Sequence, residues 1–565
     1  MTDWAHLARR VRRRGRRELE ALLDRASAAR AARAEQAGLL AALQQARGPQ
    51  ASRLQERLRA LLLALGVDAG HAGLPALVAH LETRLARADD REVWLALAVL
   101  TGRLPLDEDV VETRRRLRLD GPGAALAPWV VRTTALTSRD RRHPARVEVL
   151  TGAVTLDLHH TSRTALATGI QRVARQTARR WDRDHDVVVV GWTEDGTALR
   201  RLGDAERGRA LGQPATGAPA PAAGDDATLA GDPRTPPAPP SAPTVVVPWQ
   251  GTHVTLELAT EEPRTARMLA LARHSGNRTG AIGFDCVPLT TAETTGEAMG
   301  GAFAKTLAAV RHTDRVATIS EGAAVEYRGW RRMLTGAGLA GPDVVAVPLP
   351  VEASTPSGAA LAAARSRFTV GSAPMVLVVG SHEPRKNHLA VLHAAELLWR
   401  EGTVFSLVMV GGNAWRSERT TQVLAGLRGA GRPIDAVRAL DDDALWAVYR
   451  LAHVVLFPSL NEGFGLPVAE ALASGTPAVT SGHGSTAEIA AEGGALLVDP
   501  RDDRAVADAL RRVLVEPGLR DRLAAEAAAR PRRSWDTYAD ELWRELVAPG
   551  PAGPAPAAPA AGEPA

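Results

Sequence analysis

Residues 453–481 read HVVLFPSLNEGFGLPVAEALASGTPAVTS, and this stretch indicates both a fold and a ligand site. It runs from an apolar strand, HVVLF, through a loop with two glycines into an apolar helix, and then to a second strand, TPAVT. Continuously apolar strands that alternate with helices are typical of a parallel sheet covered on both faces. We therefore predict a doubly wound α/β domain, whose ligands bind beyond the carboxyl ends of the strands.

The loop between the first strand and the helix has the features of an anion site. Gly463 and Gly465 allow the backbone to approach a ligand closely, and Pro467 suits the first turn of a helix. The amides and the dipole at such a helix start attract negative charge. The segment therefore predicts a binding site suited to a diphosphate.

Two glutamates flank this helix start, with seven residues between them. Glu462 precedes the helix and Glu470 lies about one turn inside it, so both can face one ligand. Because a carboxylate repels phosphate, its natural partner is a hydroxyl group. The pair therefore indicates a ligand that carries sugar or ribose hydroxyls as well as phosphate.

A second group of polar residues, GSHEPRKNH from Gly380 to His388, directly follows the strand MVLVV. In it, Arg385 offers a bidentate fork and Lys386 a compact charge for phosphate oxygens. The chain has 69 basic residues, of which only Lys305 and Lys386 are lysines. A lysine at this position, where arginine is the default, indicates that a compact ammonium is needed.

Strands and helices alternate through most of the chain. The second half contains five predicted strands: MVLVV, FSLVMV, HVVLF, TPAVT and GALLV. The first half begins with VEVLTGAVTLDL, predicted as one strand, and continues with DVVVVGW, TVVVPW, AIGFDCVPL, RVATIS and VVAVPLP. The fold class is therefore α/β, with two tandem doubly wound, Rossmann-like domains.

The predicted domain boundaries follow this alternation and the composition. Residues 1–145 have apolar spacings of three and four and form a helical N-terminal region. A segment rich in Pro, Ala and Gly interrupts the first α/β domain and is predicted to be disordered. The remaining boundaries are 146–350 for the first α/β domain, 203–243 for its insertion, 351–546 for the second α/β domain and 547–565 for a disordered tail.

The composition limits the cellular compartment and the kinds of binding partner that we expect. A net charge of +5 on 565 residues gives no reason to expect nucleic acid as a partner. The single cysteine, Cys286, excludes a disulfide framework, so a reducing cytoplasm is the expected location. Neither a secretory signal nor a membrane span is expected from the sequence. The seven arginines between Arg9 and Arg17 indicate either a solvated helix end or a peripheral contact with an anionic membrane.

The run from Met375 to Pro500 resembles the retaining glycosyltransferases of family 4, also called the group 1 transferases, which have the two-domain GT-B fold. The matching segments are GSHEPRKN, VMVGG with Trp415, residues 441–481, GSTAEI and LLVDP. The first half resembles the family more faintly, at TLDL, TGIQR, FDCVPL and ATISEGAA. Residues before about 145 match nothing in that family.

The resemblance implies a role for each residue of the glycine-rich segment. Glu470 would hold the ribose of the nucleotide, and Glu462 would contact a hydroxyl of the donor sugar near the reacting carbon. The backbone amides that would line the sugar and the phosphates belong to Gly463, Phe464, Gly465 and Leu466.

The resemblance also implies how the diphosphate is bound. Arg385 and Lys386 would neutralise the diphosphate leaving group, and Gly169 would close on the phosphates from the other domain. Val437, next to Arg438, lies where the family usually cradles the base. No metal site and no cofactor are expected beyond the nucleotide-sugar co-substrate. The cations and the helix end take the part that a divalent ion has elsewhere.

One position departs from the family pattern. Many relatives have histidine immediately before the acidic residue of the segment FDCVPL, whereas this chain has Phe284 followed by Asp285. Asp285 is the best candidate for a polar group on the acceptor side of a catalytic site. An aspartate at the end of a strand can also simply cap the following loop.

The reaction that the resemblance implies is transfer of a hexosyl group, mannosyl or similar, with retention of configuration. The donor would be a UDP- or GDP-sugar, and the acceptor a glycan or a lipid-linked sugar. Nucleotide-sugar epimerisation and glycan phosphorolysis on the same fold are the alternatives among enzymes. A non-catalytic interaction protein that uses the helical N-terminal region is the alternative outside enzymes.

Overall fold

The computed structural model describes residues 38–46, 48–137, 146–164, 169–213 and 244–548. The basic run from Arg9 to Arg17, most of the predicted insertion and nearly all of the predicted tail lie outside the described residues. None of the described helices combines the length and the apolar composition that crossing a bilayer requires.

Fifteen β-strands are present in the described residues. In chain order they are β1 Val147–Thr151, β2 Val154–Asp157, β3 Val187–Trp192, β4 Leu199–Arg201, β5 Val245–Trp249, β6 Thr252–Thr255, β7 Arg278–Gly283, β8 Arg315–Thr318, β9 Asp343–Ala346, β10 Met375–Val379, β11 Ser406–Val410, β12 Ile434–Val437, β13 Val454–Phe457, β14 Ala478–Ser481 and β15 Ala495–Val498.

Helices precede the strands and then alternate with them, and residues 38–44 are also helical. In chain order the α-helices are α1 Pro49–Ala64, α2 Leu74–Leu85, α3 Asp90–Thr101, α4 Asp107–Thr137, α5 His159–Arg163, α6 Gly169–Asp184, α7 Asp204–Ala210, α8 Glu262–His274, α9 Val287–Thr290, α10 Met299–Val310, α11 Glu321–Gly336, α12 Gly358–Phe368, α13 His388–Arg400, α14 Glu418–Gly429, α15 Asp442–Leu451, α16 Leu466–Ala473, α17 Gly484–Ala490, α18 Asp503–Val515, α19 Leu519–Ala528 and α20 Trp535–Leu546.

The chain forms two compact units that differ from a simple division into consecutive domains. Among the described residues, the first unit contains those within Met1–Ala165, His185–Thr255 and Glu261–Thr279, and the second contains those within Leu166–Asp184, Leu256–Thr260 and Gly280–Ala565. The boundary predicted after residue 350 falls between β9 and β10, whereas the packing already places the chain from Gly280 onwards in the second unit.

The first unit combines the N-terminal helices with strands in the order β1-β5-β4-β3-β2-β6. The segment VEVLTGAVTLDL was expected to be one strand, but the structure divides it into β1 and β2, which are not neighbours. The chain turns between them at Gly152, whose φ of +72° suits glycine. As a result β1 pairs with β5, while β2 lies between β3 and β6.

The predicted start of the insertion at residue 203 is wrong. The chain forms β4 just before that point and α7 just after it, and β4 pairs antiparallel with both β3 and β5. Arg200 on β4 also forms an ion pair with Glu206 on α7 at 2.6 Å. Residues 203–210 therefore belong to the folded unit, because this short hairpin strand and helix have partners that the composition does not reveal.

The second unit contains a six-stranded sheet of order β12-β11-β10-β13-β14-β15, in which every pairing is parallel. Five of these strands were predicted, and the sixth, β12, was missed. β12 lies at the edge of the sheet and is only partly buried, so its sequence IDAV lacks a continuous apolar run. The parallel strands β7, β8 and β9 also belong mainly to this unit.

The core of this sheet is formed by its central strands and the helices that cover them. Val376 on β10, Leu407 on β11 and Leu456 on β13 are fully buried. Leu392 on α13 and Leu510 on α18 belong to the same apolar cluster. The chain order reverses between β10 and β13, and in such sheets ligands bind beyond the carboxyl ends of the strands at that point. The predicted α/β fold class with parallel sheets is confirmed.

Candidate functional site

The loops after β10 and β13 carry the predicted cations and the first predicted glutamate. β10 and β13 are neighbours, with Val376 paired to Val454 and Leu377 paired to Val455. Their carboxyl ends therefore point to the same edge of the sheet, where the strand order reverses. The site that the sequence predicted from two separate motifs is thus a single location in the second unit.

Glu462 is the centre of this location. Its carboxylate accepts from Lys386 Nζ at 2.7 Å and forms an ion pair with Arg385 Nη1 at 2.6 Å. The Ser459 hydroxyl donates to the same carboxylate at 2.6 Å. Arg385 also pairs with Glu383 at 2.7 Å, so two cations face two carboxylates. Both predicted phosphate-binding cations are therefore paired with carboxylates of the protein.

Electrostatics within this cluster keep Glu462 ionised. Burial disfavours its charge, but the adjacent Arg385 and Lys386 outweigh that effect and lower the pKa of Glu462 to about 2. Burial lowers the pKa of the Lys386 ammonium, although Glu462 opposes this shift. The pKa of Arg385 is raised, because Glu462 and Glu383 outweigh the effect of burial. Glu462, Arg385 and Lys386 are therefore all charged, and their opposite charges compensate one another in a largely buried site.

The glycine-rich loop requires both of its glycines. A Cβ on Gly463 would lie 2.4 Å from the carbonyl oxygen of Phe284, so a larger residue would push the two segments apart. Gly465 has a φ of +103° and begins α16. Gly463, Phe464 and Gly465 therefore lead directly into Leu466, the first residue of α16.

The start of α16 leaves only its first amides for an anion. The amides of Val468 and Ala469 donate to the carbonyl of Gly465, and Pro467 has no N–H group. The amides from Gly463 to Leu466 are those that the sequence predicts for an anion at this helix end, and that role stays a prediction.

Glu470 lies on α16 and has two partners that the sequence did not predict. The Tyr449 hydroxyl on α15 donates to its Oε2 at 2.8 Å, and Arg172 Nη1 on α6 donates to its Oε1 at 2.9 Å. Burial raises the pKa of Glu470, and Arg172 and Tyr449 oppose that rise. The sequence contains no local signal for these contacts, since Arg172 is 298 residues away from Glu470.

Gly169 begins α6 and lies against the same helix start. A Cβ at Gly169 would be 3.3 Å from Leu466 Cδ1, so the first residues of α6 and α16 are in contact. Gly169 therefore lies beside the glycine-rich loop, but it belongs to the second unit with α16, so the prediction that it acts from the other domain is wrong. Its contact with phosphate stays a prediction. The chain segment directly before it, residues 165–168, lies outside the described part.

Asp285 follows β7 and combines a capping contact with a perturbed acidity. Its Oδ1 accepts from the amide of Val287 at 3.1 Å, which is the capping function that an aspartate at a strand end can have. Burial raises the pKa of Asp285 to about 6, against the opposing effect of Arg385. Its Oδ2 would be 3.0 Å from a Cβ on Gly463. The carboxyl group is therefore next to the glycine-rich loop.

Val437 is on the same edge of the sheet but further from the other residues. It ends β12, which is separated from β10 by β11. With neighbouring strands about 4.8 Å apart, this places Val437 about 10 Å from the point where the strand order reverses. A role in contacting the base remains a prediction.

An open pocket of about 540 Å³ adjoins Glu462 in the second unit. Sequence reasoning did not identify this pocket, because its lining comes from five separate loops and helices. The lining residues are Thr291, Glu321, Gly322, Val325, Glu326, Leu460, Asn461, Glu462, His483, Gly484, Glu488 and Arg501. Asn461 connects the loop after β13 to α11 by donating a hydrogen bond to Glu326 at 2.9 Å.

In the described part of the chain, no group of three or more His, Cys, Asp or Glu residues is arranged to hold a metal ion.

Residues 364–530 match the sequence profile of a family described as glycosyl transferases group 1. The chain is 37% identical over 189 residues to a D-inositol 3-phosphate glycosyltransferase of Actinosynnema mirum, covering 31% of the chain and 45% of that protein. It is 28% identical over 186 residues to the serotype-specific mannosyltransferase WbdA of Escherichia coli, covering 32% of the chain and 23% of that protein. The similarity thus spans less than half the length of either relative.

Among solved structures, the chain is similar to a sucrose-phosphate synthase from Thermosynechococcus elongatus. The TM-score is 0.48 and the sequence identity is 18%, with 70% of this chain and 99% of the other covered.

Proposed function

We propose that the chain is a glycosyltransferase, from the premise that its residues 364–530 belong to the group 1 glycosyl transferases. The donor is a nucleoside diphosphate sugar, and the acceptor is a sugar or a sugar-containing glycan. The observation that carries this proposal is the cluster beside the glycine-rich start of α16, in which the charged nitrogens of Arg385 and Lys386 each lie within 2.7 Å of the Glu462 carboxylate. It combines phosphate-binding cations, helix-end amides and a hydroxyl-binding carboxylate.

The diphosphate and the sugar of the donor contact different residues of this cluster. The phosphate oxygens compete with Glu462 for Arg385 and Lys386, because all of these groups are anionic partners for the same cations. Once the cations bind phosphate, the carboxylate of Glu462 can accept a hydrogen bond from a hydroxyl of the donor sugar. The two cations would therefore compensate the charge of the donor diphosphate instead of the charge of Glu462.

The chemical step places negative charge on the leaving diphosphate. The bond from the anomeric carbon to the phosphate oxygen breaks, and its electron pair stays on the diphosphate. A bond from the acceptor oxygen to the anomeric carbon forms, and the acceptor proton passes to the departing phosphate oxygen. Arg385, Lys386 and the amides at the start of α16 stabilise the developing charge in the transition state. We propose that this occurs with retention and without a divalent metal ion.

The names of the relatives support the acceptor class. One relative is a D-inositol 3-phosphate glycosyltransferase and another is a mannosyltransferase. We propose transfer of a hexosyl group, mannosyl or similar, from a UDP- or GDP-sugar to a glycan, a sugar phosphate or a lipid-linked sugar. A peripheral membrane contact through Arg9 to Arg17 fits a lipid-linked acceptor.

The proposal is tested by measuring release of nucleoside diphosphate from a panel of UDP- and GDP-sugars, with and without sugar acceptors. At least one donor should be turned over, and EDTA should not reduce the rate. Lys386→Ala should lower turnover by roughly 10- to 100-fold, which corresponds to loss of one charge-assisted contact.

Lys305→Ala is the matched control, since it removes the only other lysine of the chain, which lies exposed on α10. Its rate of donor turnover should equal that of the unmodified chain. A strict requirement for a divalent metal ion would contradict the proposed role of the cations. Equal rates in the two lysine variants would also contradict it.

A further inference from the structure

Arg172 occupies a position that is unfavourable for a cation unless it has a specific partner. It lies in the first turn of α6, which contains no acidic residue. The positive end of a helix dipole repels a basic side chain at this point. Its partner is Glu470, whose Oε1 accepts from Arg172 Nη1 at 2.9 Å. The contact therefore compensates a charge that α6 by itself disfavours.

The two partners of Glu470 differ in how easily they can leave. Tyr449 is fully buried, and its hydroxyl is fixed on Glu470 Oε2. The side chain of Arg172 is 36% exposed, whereas that of Glu470 is 8% exposed. A ligand hydroxyl that approaches Glu470 from solvent therefore competes with Arg172 and leaves the bond from Tyr449 in place.

The diphosphate position lies within reach of the same arginine. Glu470 is four residues from Leu466 along α16, which corresponds to about 6 Å. The first residue of α6, Gly169, already lies against Leu466. Transfer of the Arg172 guanidinium from Glu470 to the first amides of α16 therefore requires a displacement of about one helical turn along α16.

We propose that Arg172 pairs with Glu470 in the free protein and transfers to the diphosphate when the ribose of the donor binds Glu470. This inference rests on the proposed function, since it assumes a nucleoside diphosphate at the start of α16. The ribose and the arginine exchange places on one carboxylate, and the diphosphate receives the displaced cation. Arg172 is then a third phosphate-binding cation, supplied by α6 in addition to Arg385 and Lys386.

The test compares two ligands that differ only in the diphosphate. Calorimetric titration of the full chain measures the affinity for uridine and UDP, or for guanosine and GDP, whichever diphosphate the unmodified chain binds. In Arg172→Gln, the nucleoside should bind about three- to tenfold more tightly, because its competitor for Glu470 is gone. The nucleoside diphosphate should bind at least about tenfold more weakly, because one phosphate contact is lost.

The opposite signs of the two changes in affinity distinguish this exchange from a purely structural role of Arg172. Arg179→Gln is the matched control, because it removes the same charge from an exposed position two turns along α6, and both affinities should stay unchanged. Arg172→Lys keeps the charge and the helix, and should recover part of the diphosphate affinity.

Three outcomes overturn the inference. If the unmodified chain binds neither nucleosides nor nucleoside diphosphates, the proposed donor site and the exchange both fail. If it binds the diphosphate and Arg172→Gln changes both affinities in the same direction, the donor site stands and the exchange is wrong. The same conclusion follows if Arg172→Gln leaves both affinities unchanged.

Discussion

At the scale of single residues, the candidate site consists of charges that compensate one another. Glu462 faces two cations, and Glu470 faces Arg172 and a buried tyrosine hydroxyl. Removing one member of such a group leaves a partner buried without compensation, which costs more than the contact itself is worth. We therefore expect substitutions here to reduce stability as well as ligand binding.

Asp285 is the exception, because its charge has no ion pair in the structure described. Its pKa of about 6 lies above the ordinary 3.8, so the folded chain holds a proton that the unfolded chain has already lost between these values. Stability contributed by that proton is present at low pH and is lost as the pH rises through 6. Above this point the folded chain carries a charge that burial disfavours, which is typical of functional carboxylates.

We predict that Asp285→Asn is more stable than the unmodified chain above pH 6, by on the order of 1–3 kcal/mol. The difference should shrink as the pH falls towards 4, where both forms are neutral at this position. Denaturant unfolding at pH 4, 5, 6 and 7.5 measures it, with Asp540→Asn at an exposed position of α20 as the control. If the unmodified chain is the more stable one at pH 7.5, the capping bond to Val287 outweighs the cost of burial.

At the scale of elements, the start of α11 is bound to the loops of the six-stranded sheet. The carboxylate of Glu488 on α17 accepts from the amides of Glu321 and Gly322 at 3.0 and 2.9 Å. The Ser320 hydroxyl donates to the carbonyl of Gly463 at 2.6 Å. A Cβ on Gly322 would lie 2.5 Å from the amide nitrogen of Ser485, so the two helix starts meet backbone to backbone. This contact positions the wall of the pocket beside Glu462.

Replacing Glu488 with Ala should therefore destabilise the second unit. Two charge-assisted bonds to orphan amides at a helix start are lost, which costs about 1–2 kcal/mol. Urea denaturation followed by tryptophan fluorescence measures the change. Glu516→Ala, which removes an exposed carboxylate at the end of α18, should have an effect below about 0.5 kcal/mol. Similar effects in both variants would mean that Glu488 does not cap α11.

At the scale of the whole molecule, the second unit is built from segments that are distant in sequence. It takes α6 from the first half, and the last helix, α20, packs against α6. Trp181 Nε1 donates to the carbonyl of Ala539 at 2.9 Å, and Arg180 pairs with Asp536 at 3.2 Å. The helix that carries Arg172 is therefore supported by the C-terminal end of the described chain.

Residues 214–243 should be dispensable for this arrangement. Their Pro, Ala and Gly content offers little apolar side-chain surface for a core, and the elements that flank them already pair, with Arg200 on β4 opposite Val245 on β5. We predict that replacement by a Gly/Ser linker of about ten residues changes stability by about 1 kcal/mol or less, since loop-closure entropy grows only with the logarithm of length.

Thermal unfolding and nucleotide titration of the shortened chain measure this outcome. Limited proteolysis of the unmodified chain should cleave first within the same segment. Loss of nucleotide binding in the shortened chain, or protection of the segment from protease, would mean that it is an ordered part of the first unit.

The sequence by itself determined those features whose causes lie within a few residues. The apolar runs of β10 and β13 predict buried parallel strands, and the glycines and proline before α16 predict a helix start that accepts an anion. The spacing of Glu462 and Glu470 places both on one helix start. The relation of residues 364–530 to the group 1 glycosyl transferases, predicted from these motifs, is confirmed. Periodicity, turn residues and helix dipoles act locally, so the sequence displays them directly.

Only the tertiary structure decided which of these local features meet. It places β10 next to β13, and so brings Lys386 to Glu462 although 76 positions separate them. It also divides the strand predicted at residue 147 into two, adds the edge strand β12 and places Arg172 and Tyr449 on Glu470. These contacts depend on packing of apolar faces across the whole chain, in which many segments are locally equivalent. Partners that are distant in sequence leave no periodic signal, and only the folded core selects among them.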